Sequence, residues 1–127
     1  MNIIIRSIPH KSHRYPTCGD WFEEDGTLYI LVSDEMPEES KQLVALHEFA
    51  EWMMCKANGV TQKQVDTFDM GFEKNRQPGD ESEPGDHPSA PYHVQHRLAT
   101  SIELMTASQM KVDWAAHEEA IGKLFSD

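Results

Sequence analysis

One stretch, residues 43–54, constrains the fold most, because it sets three ionisable groups into a helical apolar pattern. Apolar side chains recur through it at helical spacing, which predicts a helix with a buried face. His47 and Glu51 are four residues apart, so they lie one turn above the other on that helix. Glu48 lies about 100° further round, beside them. Burying a histidine and two carboxylates is costly unless they are paired or bind a metal, so a metal site is the leading hypothesis.

The segments around this helix predict an α+β fold, with a small N-terminal antiparallel β-sheet followed by about four helices. Asp25-Gly26 lies between β-branched and aromatic runs, as is typical of a hairpin turn. The length of 127 residues suits a single domain. The predicted elements are the sheet at 1–33, the motif helix at 37–58, a helix at 62–75, an acidic Pro/Gly loop at 76–90, a second ligand helix at 91–110 and a C-terminal helix at 113–125.

The helix predicted at 91–110 carries a second group of candidate ligands. His96 and Glu103 lie seven residues apart, which is two turns, and so share one line along the helix. His93 lies about 60° off that line and is a reserve ligand, as is His87 in the preceding loop. Asp86 could bring another ligand to a cleft. The stripe expected to face the core consists of Leu98, Ile102 and Met105.

Other ionisable residues receive a plainer interpretation. His10 and His13 are expected to be solvated loop residues, and His117, which lies among charges, is expected at the surface. Asp66 and Asp69 lie three apart on the helix predicted at 62–75. That spacing is typical of a solvated face, although Asp69 also qualifies for a supporting role at the metal site.

The predicted metal ligands are His47, Glu51 and His96. Zinc accepts imidazole nitrogen and carboxylate oxygen, and catalytic zinc sites leave one position for water. Glu48 would act as general base and take a proton from that water. Glu103 or Asp69 would be a fourth ligand or would hold the outer nitrogen of a histidine ligand. Because carboxylates also suit harder metals, manganese and iron are alternatives to zinc.

The segment Leu46-His47-Glu48-Phe49-Ala50-Glu51 has the pattern H-E-x-x-E and resembles the H-E-x-x-H helix of the zincin metallopeptidases. Glu51 stands where the second histidine would be, which makes a bound metal a weaker Lewis acid. The resemblance implies a zincin-like fold and zinc-dependent hydrolysis of a peptide or amide bond, with a peptide or protein as substrate.

A wider similarity rests on segments distributed along most of the chain. They are Arg14-Tyr15-Pro16, Gly19-Asp20-Trp21, His47 to Glu51, Val65-Asp66, Phe68-Asp69, Pro84-Gly85-Asp86, Ala90-Pro91-Tyr92, His96, Ala99-Thr100 and Glu103. With these segments the chain resembles a family of small bacterial and phage proteins that has no assigned activity. The similarity supports the pairing of the two motif regions more than it supports a reaction.

The composition narrows the classes of partner. The formal net charge is −11 and the pI is near 4.9, so the surface should repel nucleic acid and anionic membranes. No apolar run approaches the roughly 18 residues that a membrane span needs, and the first residues turn polar too quickly for a signal peptide. We therefore expect a cytoplasmic protein in which Cys18 and Cys55 are reduced thiols.

Three alternatives compete with the hydrolase hypothesis. In the first, His47 is a core histidine hydrogen-bonded to Glu103 or Asp69, while Glu48 and Glu51 lie on a partly exposed rim. In the second, the chain is a non-catalytic interaction module that has a structural or vestigial metal site and docks through its acidic loop, whose acids are Asp80, Glu81, Glu83 and Asp86.

The third alternative is a dinuclear carboxylate site. The residues available for it are Glu48, Glu51, Asp69, Glu103, His47 and His96. The chain lacks the Glu-x-x-His pairs that four-helix di-iron proteins use, which disfavours this arrangement.

Overall fold

The computed structural model describes residues 1–126 and has an α+β architecture, a three-stranded sheet followed by four helices. The strands are β1 (Asn2–Ile8), β2 (Gly19–Glu24) and β3 (Thr27–Ser33). The helices are α1 (Glu38–Ala57), α2 (Gln62–Lys74), α3 (His93–Gln109) and α4 (Trp114–Lys123). Short 3-10 turns occupy His10–Ser12 and Pro84–Asp86. The predicted fold class is confirmed, and each helix begins and ends close to its predicted position.

The sheet is mixed, so the prediction of an antiparallel sheet is wrong. The hairpin of β2 and β3 is present, and Asp25 and Gly26 occupy its turn with φ angles of 51° and 77°. β1 pairs with the other side of β3 and runs parallel to it. Residues 9–18 cross the end of β3 and place β2 on its far side. The alternation of side chains specifies a strand but not the direction of its partner, so the sequence pattern could not predict this crossing.

Helix α1 packs against β2 and β3 on one side and against α3 on another. The core between the helices and the sheet includes Trp21, Leu28, Ile30, Cys55 and Val65. Both cysteines are free thiols, and Cys55 is fully buried. Among the described residues, no helix combines the length and the apolar character that crossing a bilayer requires.

The apolar stripe predicted for α3 is wrong in two of its three positions. Leu98 is 50% exposed and Met105 is 64% exposed. The face that packs on α1 carries the small residues Ala99 and Ala107 together with buried polar groups. Small side chains let the two helices approach closely. The polar groups of α3 that are buried together with them are His96 and Glu103.

Candidate metal centre

The structure brings the three predicted ligands together between α1 and α3. The Nε2 atom of His47 lies 3.1 Å from Oε2 of Glu51 and 3.2 Å from Nδ1 of His96. The third side, from His96 Nδ1 to Glu51 Oε2, measures 3.0 Å. All three side chains are buried. We call this set of atoms the ligand triangle.

The dimensions of the ligand triangle suit one small cation. Zinc binds nitrogen and oxygen at roughly 2.0–2.2 Å, which puts the ligand atoms of a tetrahedral site about 3.3 Å apart. The observed sides of 3.0–3.2 Å are close to that separation. Two imidazole nitrogens and one carboxylate oxygen also form a donor set that zinc accepts, so these residues could hold the metal.

A chain of buried hydrogen bonds orients His47. Its Nδ1 donates to Oε1 of Glu103 over 2.8 Å, which directs Nε2 toward the ligand triangle. The other oxygen of Glu103 accepts from Nε2 of His117 at 2.6 Å, and Nδ1 of His117 lies 2.8 Å from the Ser40 hydroxyl. Glu103 thus lies at the outer nitrogen of His47, which is a supporting position expected for it, and such a partner fixes the ring of a metal-binding histidine.

His117 is buried, so its predicted surface position is wrong. It lies on the face of α4 that also carries Trp114 and Ile121, and that spacing was the signal that could have placed it inside. Ser40, its other partner, carried no such signal, because a serine in the first turn of a helix is ordinary.

Glu51 and Glu48 have different surroundings although both are buried. The second oxygen of Glu51 accepts a hydrogen bond from the Trp21 indole at 3.0 Å, which leaves one oxygen for the ligand triangle. Glu48 Oε2 lies 3.9 Å from His47 Nε2. Both carboxylates line the same cavity. The partly exposed rim that the core-histidine alternative requires is therefore absent at these two residues, although its His47–Glu103 hydrogen bond is present.

The protonation states of the ligand triangle are strongly coupled. Burial alone would lower the pKa of His47, but hydrogen bonds to Glu103 and Glu51 raise it well above the usual value. Burial would also lower the pKa of His96, yet the carboxylates of Asp86, Glu51 and Glu83 raise it to about 12. The positively charged rings in turn lower the pKa of Glu51 to about 2, against the effect of burial. A divalent cation bound by the ligand triangle would supply the positive charge that these ring protons supply in its absence.

The pKa of Glu48 is shifted in the opposite direction to that of Glu51. Burial and the charge of Glu51 raise the pKa of Glu48 well above its usual value. A carboxylate with a raised pKa holds a proton at higher pH, as a general base must do once it has taken one. The backbone of β2 approaches it closely, because a Cβ at Gly19 would lie 3.0 Å from Cγ of Glu48.

Asp69 supports the site only indirectly. Its two oxygens accept hydrogen bonds from the hydroxyls of Tyr92 at 2.5 Å and Tyr15 at 2.8 Å. It is buried, so the solvated face expected at this position is wrong for Asp69. Burial raises its pKa to about 7 despite the two tyrosine hydrogen bonds. The ring of Tyr92 packs edge-on against His96, which places Asp69 behind the ligand triangle rather than in it.

The loop before α3 covers the cavity. Residues 81–85 line it, and its volume is about 60 Å³. A Cβ at Gly85 would overlap the ring of His96, so the loop backbone lies directly on that histidine. The carbonyl oxygen of Gly85 accepts a hydrogen bond from Nδ1 of His93 at 2.9 Å. His93 therefore holds the loop rather than joining the ligand triangle.

The remaining histidines lie away from the ligand triangle. His87 is exposed, and its ring accepts a hydrogen bond from the backbone of Ser89. His10 and His13 were expected to be solvated, but both are half-buried and contact the Ser33 hydroxyl at 2.8 and 3.0 Å. Burial lowers the pKa of His13 to about 4.

The loop also brings two carboxylates to the outer side of His96. Oε2 of Glu83 lies 2.9 Å from Nε2 of His96, and Oδ1 of Asp86 lies 3.3 Å from the same atom. Asp86, in the part of the loop expected to bring a potential ligand to a cleft, thus lies close to His96. Comparisons of the chain with models of protein families, with curated proteins and with solved structures found no match.

Proposed function

We propose that this protein is a metal-dependent hydrolase whose mononuclear centre consists of His47, Glu51 and His96. The observation that carries the proposal is the ligand triangle, three buried donor atoms 3.0–3.2 Å apart, with the outer nitrogen of His47 already held by Glu103. Buried ionisable side chains that converge in this way are costly unless a charge of opposite sign compensates them.

Zinc is the metal we assign, and manganese or iron are the alternatives that the donor set admits. A zinc ion held by these residues would supply Lewis acidity, which polarises a carbonyl group and acidifies water. Glu51 contributes a negative charge that a second histidine would not, so the centre is a weaker Lewis acid than one with three neutral ligands.

Glu48 is the proposed general base. Its carboxylate lines the cavity 3.9 Å from His47 Nε2, and it faces the same space as the ligand triangle. The substrate class proposed, a peptide or another amide, follows from the resemblance of the motif helix to zincins. Small-molecule sites usually measure 300–1,000 Å³, whereas this cavity measures about 60 Å³. The loop at residues 81–85 lines this cavity, and its movement would make room for a substrate.

The first experiment is metal analysis by mass spectrometry on untagged protein. We expect near-stoichiometric zinc, manganese or iron in the wild type and its loss in His47→Ala. His87→Ala is the matched control, because that histidine is exposed and should leave the metal content unchanged. Wild-type protein that is folded, contains no metal and takes up none on addition would contradict the metal-centre proposal.

Hydrolysis is tested separately from metal binding. Peptide and amide substrates are screened with the wild type and with Glu48→Gln, which should retain its metal and lose activity by about 100-fold or more. Equal activity of the two proteins would exclude Glu48 as the base. A wild type that binds the metal but cleaves none of these amides would contradict the proposed hydrolysis and leave the metal centre intact.

The second candidate function is a non-catalytic interaction module that docks through the acidic loop. Asp80 and Glu81 are exposed and would serve it, but Glu83 and Asp86 turn toward His96. This candidate predicts that Asp80→Asn with Glu81→Gln removes partner binding, while His47→Ala preserves it. The hydrolase proposal predicts instead that His47→Ala removes hydrolytic activity and that Asp80→Asn with Glu81→Gln retains it.

A further inference from the structure

His96 has a second nitrogen that the metal centre does not use. Its Nδ1 belongs to the ligand triangle, while Nε2 points to the opposite side, at the loop. The side chain is only 6% exposed, yet Nε2 has no hydrogen-bond partner among the described residues. Two carboxylate oxygens nevertheless lie close to it, Glu83 Oε2 at 2.9 Å and Asp86 Oδ1 at 3.3 Å.

The placement of these oxygens distinguishes two kinds of interaction. In a hydrogen bond the acceptor lies near the N–H axis of the ring. In a metal site the cation occupies that axis, and the other ligand atoms lie beside it, about 3 Å from the nitrogen. Glu83 and Asp86 are at this distance but outside hydrogen-bond geometry. The arrangement therefore suits a shared cation better than a pair of hydrogen bonds.

The surroundings favour a cation at this position. Beside it lies a cavity of about 280 Å³ that Glu83 and Asp86 also line. Three further carboxylates line that cavity, those of Glu81, Glu103 and Glu118, and no lysine or arginine does so among the described residues. Outside it, Arg97 approaches Asp86 no closer than 3.8 Å. The five carboxylates outnumber His117, the one basic residue among the described residues that line this cavity, and such an excess of negative charge concentrates cations from solvent.

We propose that Nε2 of His96, Glu83 and Asp86 form a second divalent-cation site, and that the His96 ring bridges it to the ligand triangle. One imidazole and two carboxylates suit zinc or manganese. When both nitrogens are coordinated, the ring carries no N–H, and its last proton has passed to solvent. Because Glu83 and Asp86 belong to the covering loop, this cation would hold the loop against α3.

The second site is tested by counting bound zinc. Chelator-stripped protein is dialysed against zinc chloride, and the bound metal is measured by mass spectrometry. We expect two zinc ions per chain in the wild type and one in Glu83→Gln/Asp86→Asn. The control is Asp80→Asn/Glu119→Gln, which removes the same charge from exposed positions that do not line this cavity and should still bind two.

The counts separate the second site from the proposed metal centre. His47→Ala/Glu51→Gln removes the ligand triangle and should retain one zinc at the loop. A wild type with one zinc that survives Glu83→Gln/Asp86→Asn would overturn the second site and leave the metal centre intact. A wild type whose single zinc is lost in that loop variant would overturn the metal centre instead. Equal losses in the loop variant and its control would reduce the effect to general electrostatics and overturn the second site.

The bridge has its own readout. Two copper(II) ions that share one imidazole are magnetically coupled, and copper-loaded wild type should show this coupling by electron paramagnetic resonance. Glu83→Gln/Asp86→Asn should give the signal of an isolated ion. Two bound copper ions without coupling in the wild type would show that His96 does not bridge them.

Discussion

His47 shows how one side chain connects the candidate centre to the rest of the fold. One nitrogen of its ring faces Glu51 and His96, and the other donates to Glu103, which also accepts from His117. The orientation of the ring thus depends on a residue of α3 and a residue of α4. Substitutions at these distant positions should therefore act on the metal without contacting it.

Glu103→Gln should weaken zinc binding by roughly 10–100-fold, the usual effect of removing the partner of a ligating histidine. The amide is nearly isosteric but lacks the charge, and it cannot accept hydrogen bonds from both rings. Competition against a zinc chelator measures the affinity. Glu119→Gln is the control, because it removes the same charge from an exposed position on α4. Equal affinities of the two variants would show that Glu103 has no orienting role.

Asp69 predicts a pH dependence of stability. Its pKa is about 7 in the folded protein and about 3.8 in the unfolded chain, so between these values the folded state holds the extra proton. Its contribution is fully present below about pH 4 and is lost as pH rises through 7. The loss is on the order of 4 kcal/mol. Asn mimics the protonated acid, so the unfolding free energy of Asp69→Asn, relative to the wild type, should rise between pH 5 and pH 8.5 in urea titrations. A pH-independent difference would contradict the raised pKa.

The residue-level predictions from sequence succeeded where helical spacing decides the geometry. His47 and Glu51 are four apart on one helix, and the structure places their side chains 3.1 Å apart. The predicted surface position of His117 was wrong because its charged neighbours in sequence are not its neighbours in space. The approach of Glu83 to His96 depends on how an irregular loop folds, and no periodicity describes that.

At the scale of elements, the interface of α1 with α3 and the loop that covers it define the centre. The helices were predictable because their apolar patterns and terminal signals agree, such as the Thr61 capping box and the Asp113 N-cap. The direction of β1 and the close approach of the loop to α3 could not be predicted, because both depend on contacts between segments distant in sequence. Gly85 is where the loop and α3 meet.

Gly85→Ala should lift the loop from His96, since the added methyl group would overlap the ring. We expect a loss of stability of about 1–3 kcal/mol and faster hydrogen exchange at residues 81–86. Gly71→Ala is the control, because that glycine lies within α2 with open space around it and should stabilise the protein by roughly 0.5–1 kcal/mol. If Gly85→Ala left exchange in the loop unchanged, the loop would not be held by this contact.

At the scale of the whole molecule, the net charge of −11 is partly concentrated inside. The buried acids include Glu48, Glu51, Asp69 and Glu103, and among residues 1–126 the buried basic side chains near them are histidines. Such a molecule is stabilised by any cation that binds the folded state and not the unfolded chain.

Zinc should therefore raise the melting temperature. At a free concentration about 1,000 times the dissociation constant, the expected increase is on the order of 10 °C. Differential scanning calorimetry with and without a chelator measures the shift, which should be reversible. His47→Ala should show a much smaller shift than His87→Ala. An identical response of the two variants would place the stabilising ion somewhere other than the ligand triangle.

The separation of the ligands along the chain has a kinetic consequence. His47 and His96 are 49 residues apart in sequence, yet their nitrogens lie 3.2 Å from each other. An ion held by both acts as a reversible cross-link that closes the intervening segment, comparable in chain entropy to a disulfide worth about 4 kcal/mol. Segments 43–54 and 93–109 could then separate only after the ion has left. The lifetime of the native state would follow the residence time of the ion, so unfolding would be slow in zinc and fast in chelator.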